Sequence, residues 1–260
     1  MSWNMLVYTI PAFSTLKTLS VFNPESYRQY AEAPESHFSS DIKKVAIRVL
    51  HAELQKGAAY REKVQELIGE LPSTVKEKTV DGLVKSCMKV VAMPHPLFPI
   101  HATTADWDGR FFIALRPDLD QATKEALPWI AAHEIGHVLE QDGAKIQLAK
   151  TVASLAMAVL STFVFGWTLG FAVCATIATN IVIHIVLSRR AEMRADQFAN
   201  GHCSAGEREK AIVWLEHDKQ IGSQGRYIGK ILQACLYPSN EARMIGIQNT
   251  LKLTPNPKTA

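Results

Sequence analysis

The chain has 260 residues, 28 Lys and Arg against 25 Asp and Glu, and a net charge of +3. That length buries a real core in one large domain or two small ones, and the interleaved charges hold no basic block of the kind nucleic acid selects. Four scattered cysteines with no C-x-x-C pair argue for free thiols in a reducing compartment, not a disulfide framework.

Residues 1–38 are weakly patterned and punctuated by Pro11, Pro24 and Pro34. They predict irregular structure with a short helix, and Met1 to Ser20 lacks the basic n-region of a signal peptide. Ser39 or Ser40 caps a helix that starts at Asp41 and carries Ile42, Val45, Ala46, Val49 and Leu50 at helical spacing. A second helix is predicted over Tyr60 to Leu71 and a third over Lys76 to Val91. Their charged residues read as solvated faces. Residues 1–75 are taken as an N-terminal helical region, and 76–260 as the domain that carries the chemistry.

Met93 to Ile100 holds three prolines and cannot run through a sheet as an interior strand. His95 and His101 lie in or beside it without spaced partners and read as ordinary surface histidines. Asp106-Trp107-Asp108-Gly109 signals a turn, and Arg110 to Leu115 reads as a strand. Within it Phe111, Phe112, Ile113 and Ala114 are either plain core or an edge that a substrate peptide extends by main-chain hydrogen bonds. The second reading is favoured because the strand directly precedes the next element.

That element is a helix capped by Asp120 or Thr123. Pro128 either kinks it or opens a second helix. The second half reads His133-Glu134-Ile135-Gly136-His137, an H-E-x-x-H pattern. On a helix, i and i+4 share a face, so His133 and His137 point at one metal ion while Glu134 stands beside the open coordination position. Gly143 offers the stop.

Between Thr151 and Ser188 there is no Asp, Glu, Lys or Arg in 38 residues. A membrane-spanning helix needs about 20 apolar residues, so the stretch predicts a helical hairpin with arms at 152–165 and 171–187, turning at Gly166 to Gly170. A buried hairpin in a soluble protein fits the composition less well, and a hairpin dipping into one leaflet is the open alternative. Lys145 and Lys150 before it, and Arg189, Arg190 and Arg194 after it, put both ends on the cytoplasmic side. Asn180 and His184 on the second arm face its partner rather than lipid.

Directly downstream, Arg189-Arg190-Ala191-Glu192-Met193-Arg194-Ala195-Asp196 places Glu192 and Asp196 on one helix face. Taken alone this is a solvated charged helix. With two histidines lacking a third ligand, Glu192 completes a His2Glu zinc set, and Asp196, one turn on, supports a ligand by hydrogen bonding.

H-E-I-G-H, a long apolar insertion and then R-R-A-E-M-R-A-D resemble the membrane-bound gluzincin endopeptidases that include HtpX heat-shock proteases and type 1 CAAX prenyl proteases. The resemblance spans roughly residues 80–250. It implies a mainly α fold with a small β-sheet (α+β), a zincin-like metalloprotease domain interrupted by a transmembrane hairpin at 151–188. It implies one Zn2+ on His133, His137 and Glu192, with Glu134 as general base and Asp196 behind the ligands. Such proteases also carry a His-Pro pair shortly before an Arg near the oxyanion. Here the stretch runs Tyr237-Pro238 and then Arg243, so Tyr237 stands where the family has histidine. Tyr237 and Arg243 are thus the residues implied for the oxyanion. The implied partners are a protein or peptide substrate and a lipid bilayer, with no nucleic acid. The implied setting is an integral membrane protein with its site and termini cytoplasmic, and the chain lacks the N-terminal spans common in HtpX-like proteins. The competing reading is a membrane-anchored, zinc-loaded scaffold without activity, with the replaced histidine as its sign.

His202 and Cys203 are adjacent and chelate poorly. A further helix is expected over Ala205 to Gln220 on an Ile212, Trp214 and Leu215 face, then a flexible Gly222 to Gly225 stretch beside the site and a loose tail from Thr254.

Overall fold

The computed structural model describes residues 30–55, 60–71, 73–92, 102–107, 110–161, 169–222 and 237–253. Helix α1 (Ser39–Gln55) buries Ile42, Ala46, Val49 and Leu50, the stripe its periodicity predicts. Helix α2 (Arg61–Gly69) contributes Val64 to the same core. Helix α3 (Val80–Cys87) is capped by Thr79, whose hydroxyl accepts from the Gly82 amide at 3.2 Å. It stops four residues short of the predicted Val91. Met88–Ala92 is strand β1 instead, because Val90 and Val91, stiff at χ1, pair with a strand more than twenty residues away.

The sheet has three strands, β2 being Ala102–Trp107 and β3 Arg110–Leu115. Their order is β1-β3-β2, with β1 parallel and β2 antiparallel to β3. The expected substrate edge at Phe111, Phe112, Ile113 and Ala114 is therefore the central strand. Its main-chain groups are shared between Met88 to Val91 on one side and Thr103 to Asp106 on the other, and all four side chains are buried. A peptide cannot add to it. The free side of β1 is also covered: Ser36 donates its amide to Val90 O and Ala92 donates to Pro34 O. Among the described residues only β2 has an outer edge with no strand on it.

Helix α4 (Gln121–Glu140) opens on Asp120, whose carboxylate accepts from the Thr123 amide at 2.7 Å. It runs unbroken through Pro128. It ends not at Gly143 but at Gln141, which takes the left-handed conformation (φ 52, ψ 40). Helix α5 (Asp142–Val159) begins at once. Helix α6 (Leu169–His202) has 34 residues, so Glu192 and Asp196 lie on the continuation of the predicted second hairpin arm, downstream of and separate from the helix that carries the histidines. Helices α7 (Ala205–Gly222) and α8 (Asn240–Leu253) close the core over α4 and α6. No helix is expected at α8 from the sequence pattern.

Two contacts define how α5 and α6 lie. Asp142 meets Arg194, and Ser154 accepts from the Asn180 amide at 2.7 Å. One partner's number rises as the other's falls, so the helices pack antiparallel. Asn180 thus faces the partner helix, as its polarity demands. Val152, Leu155, Phe171, Ile181, Val182 and Val186 are exposed on the outside of the pair. Among the described residues one helix, Gly170–His202, is long and apolar enough to cross a membrane, and only 6% of its apolar window is buried. The predicted turn at 166–170 lies mostly outside the described residues.

Between α4 and α6 the backbones come close. A Cβ on Gly136 would sit 3.2 Å from Phe198 Cδ1 and 3.3 Å from Ala195 Cα. This is the glycine position that sets how near the two histidines stand to Glu192.

Candidate metal centre

Two helices supply the site. The second half of α4 turns His133 and His137 to one side, and α6 brings Glu192 against them. His133 Nε2 and His137 Nε2 are 3.1 Å apart. Glu192 Oε2 lies 3.2 Å from His133 Nε2, and Oε1 lies 3.5 Å from His137 Nε2.

The other ring nitrogens decide what these atoms are. His137 Nδ1 donates to Asp142 Oδ2 at 2.8 Å. His133 Nδ1 lies 2.9 Å from Asp196 Oδ1, a charge contact not aligned as a hydrogen bond. In the neutral ring, a carboxylate beside Nδ1 holds the proton there and leaves Nε2 as the lone pair that a metal takes. Two nitrogen lone pairs and a carboxylate therefore converge within 4.8 Å of one another. Unprotonated, these three groups face one point as acceptors and repel, so the site takes up positive charge there, as protons or as a metal ion. The donor set, two imidazoles and a carboxylate, fits zinc with a position left open.

Electrostatics agree. Burial opposes charge on both rings, but the carboxylates outweigh it: His133 is raised, and His137 is raised to about 10 by Asp142, Glu192 and Glu134. Burial likewise works against ionised Glu192, yet the two histidines hold its carboxyl well below the usual range. These residues bind positive charge.

Behind the ligands is a layered support. Asp196 is desolvated by burial but is held well below the usual carboxylate range by Arg243 and His133. Arg243 donates to it through Nε at 2.9 Å and Nη2 at 2.7 Å. The guanidinium packs against both Trp129 and Trp214, 5.3 and 5.8 Å from their ring centroids, and the two indoles are themselves 6.0 Å apart. Trp129 stacks on His133 at 5.4 Å and donates its indole N–H to Asn200 at 2.8 Å. Arg243, implied at the oxyanion, is thus buried behind Asp196 with two donors committed to it.

Glu134 is 7% exposed, and its charge reaches both His137 and Tyr237. Tyr237 is half-buried. Burial, and then the charges of Glu192 and Glu134, push its phenol up, so it stays a neutral hydroxyl within reach of their charge. Asp142 and Trp129 were not singled out from sequence. Asp142 follows a stop at a non-glycine residue, and the indole's role depends on contacts with α6 and α8.

The remaining candidates sit elsewhere. His202 Nε2 pairs with Glu53 Oε1 at 2.6 Å, and Cys203 Sγ donates to Pro128 O at 3.8 Å, so both serve the packing of α1, α4 and α6. His184 lies two turns before Glu192, with Ser188 as neighbour. His95 and His101, and the Gly222 to Gly225 stretch beyond Gly222, lie outside the described residues.

A family model, Peptidase family M48, matches residues 76–237, more than half of the chain. The chain belongs to peptidase family M48. The match takes in both metal helices and ends on Tyr237. No curated protein and no solved structure matches the chain. M48 enzymes are zinc-dependent peptidases, and in this M48 chain His133, His137 and Glu192 are the group among the described residues able to hold the ion.

Proposed function

We propose that this M48 peptidase is a membrane-anchored zinc endopeptidase, of the kind represented by HtpX heat-shock proteases and type 1 CAAX prenyl proteases, with its site at the cytoplasmic face of the bilayer. The observation that carries the reading is the convergence of His133 Nε2, His137 Nε2 and the Glu192 carboxylate, with Glu134 and Tyr237 beside it. Zinc held there supplies a Lewis acid that polarises the scissile carbonyl and brings the pKa of water towards about 7.

The chain's own groups do the rest. Glu134, one residue after His133, takes the proton of the attacking water and returns it to the leaving amine. The Tyr237 hydroxyl, kept protonated by its surroundings, donates to the oxyanion as the carbonyl carbon becomes tetrahedral. Arg243 acts one layer back by fixing Asp196, which faces His133. The substrate runs along the outer edge of β2, beside α4, because β3 has no free edge. The start of the family match at 76 supports a protease domain of residues 76–260, with α1 and α2 packed onto its core.

The membrane part rests on the apolar exposed flanks of α5 and α6. Among the described residues only 6% of the apolar window is buried, and an apolar face of that length is one that a bilayer covers. We assign 151–188 as the hairpin, with Lys145, Lys150, Arg189 and Arg190 on the cytoplasmic side.

The experiment is purification in detergent followed by incubation with zinc and an unfolded protein such as casein. Cleavage that a chelator stops and zinc restores supports the endopeptidase; zinc uptake without cleavage leaves the inactive scaffold. Extraction of the chain from membranes by alkaline carbonate, or a clean monomer without detergent, contradicts the anchor.

A further inference from the structure

The turn between α4 and α5 is unusual in sequence and close to the site. Gln141 ends α4 in the left-handed region, the one described non-glycine residue with positive φ. Such a conformation costs an L-residue roughly 1–2 kcal/mol. The turn swings the next residue, Asp142, back over the last turn of α4. There Asp142 is 4% exposed, with one oxygen on His137 Nδ1 at 2.8 Å and the other on Arg194. Arg194 stands on α6 two residues after Glu192.

The arrangement repeats the one at the other histidine. His133 faces Asp196, and Asp196 is held by Arg243. His137 faces Asp142, and Asp142 is held by Arg194. Each ligand ring therefore has its own carboxylate, and each carboxylate its own arginine from another element. A carboxylate on Nδ1 fixes which nitrogen bears the proton and which way the ring points. The arginine fixes the carboxylate.

We infer that Asp142 is a positioning residue of the metal centre, orienting His137 through Nδ1 and tying the end of α4 to the helix that carries Glu192. This rests on the reading of His133, His137 and Glu192 as the metal ligands. Asp142 touches the His137 ring from behind and no reacting atom, so its effect appears first in metal affinity.

The test uses the full chain in detergent, with zinc affinity read by competition against a chromophoric chelator and geometry read from the visible bands of the cobalt(II) form. Asp142→Asn keeps the shape and removes the charge; Asp142→Ala removes both. The expected result is zinc binding weakened about 10- to 100-fold in both, with altered cobalt bands in Asp142→Asn. If Asp142→Ala does not fold, Asp142→Asn decides. Zinc binding within twofold of the parent and unchanged cobalt bands overturn the inference, even if the metal-free melting temperature falls, since a merely structural residue does that. His137→Ala separates the two levels. If the parent binds no zinc, or His137→Ala binds as tightly as the parent, the metal-centre reading fails and takes this inference with it. If His137→Ala loses zinc and the Asp142 variants do not, the inference alone fails.

Discussion

Arg243 grips Asp196 through two parallel hydrogen bonds, 2.9 and 2.7 Å, and the pair stands directly behind His133. The side chains are 9% and 10% exposed. Removing one member leaves the other charge buried without its partner. Arg243→Ala is therefore expected to cost about 3–5 kcal/mol in stability and to loosen zinc, because Asp196 loses its anchor. Arg243→Lys keeps the charge but not the fork, and is expected to fall between. Thermal melts of the metal-free proteins check the first point; a loss under 1 kcal/mol contradicts it.

Gly136 controls the spacing of the two metal helices. Gly136→Ala gains helix propensity of about 1 kcal/mol, but its methyl meets Phe198 and the Ala195 backbone at 3.2 to 3.3 Å. The helices must part by a few tenths of an ångström, and overpacking of this kind costs about 1–3 kcal/mol. Since Glu192 rides on α6 and the histidines on α4, zinc affinity should fall with it. Unchanged affinity would mean that Phe198 yields instead of the helix.

Zinc binding should release protons. In the metal-free protein Asp142, Glu192 and Glu134 outweigh burial and hold a second proton on the His137 ring, raising its pKa to about 10. The ion needs the unprotonated nitrogen, so it displaces that proton, and affinity rises with pH through the neutral range towards about 10. Titration calorimetry at pH 7 in buffers of different ionisation enthalpy measures it. At least about one proton released per ion is expected; a heat independent of buffer contradicts the protonated site.

The resemblance puts Tyr237 where the family has histidine, and the proposed mechanism gives its hydroxyl the oxyanion. Tyr237→Phe removes the hydroxyl and little else. If it donates to the oxyanion, kcat drops about 10²- to 10³-fold with KM and zinc content nearly unchanged. Unaltered kcat transfers the role to another donor.

The site was largely legible in the sequence because its signals are local. H-E-x-x-H and Glu192-x-x-x-Asp196 depend only on helical periodicity, and both lie on helices that formed. What was not legible depends on partners distant in sequence. Met88 to Ala92 has the length and flank of a helix end, and becomes strand only because β3 is there to pair with it. Phe111 to Ala114 reads equally well as edge or centre, since both neighbours come from other segments. Gly143 looked like the helix stop by propensity, yet Gln141 takes the left-handed turn, where the gain is Asp142 on His137 and Arg194. Arg243 was placed by resemblance near the reacting carbonyl, and its actual partner, Asp196, is 47 residues earlier on another helix.

The central claim is that Glu134 moves the proton while the other three residues hold the metal. The direct measurement is Glu134→Gln, assayed for zinc content and for casein cleavage in the same preparation. Full zinc occupancy with cleavage reduced by at least about 10²-fold is the expected result. A Glu134→Gln protein that holds zinc and cleaves as fast as the parent contradicts the mechanism.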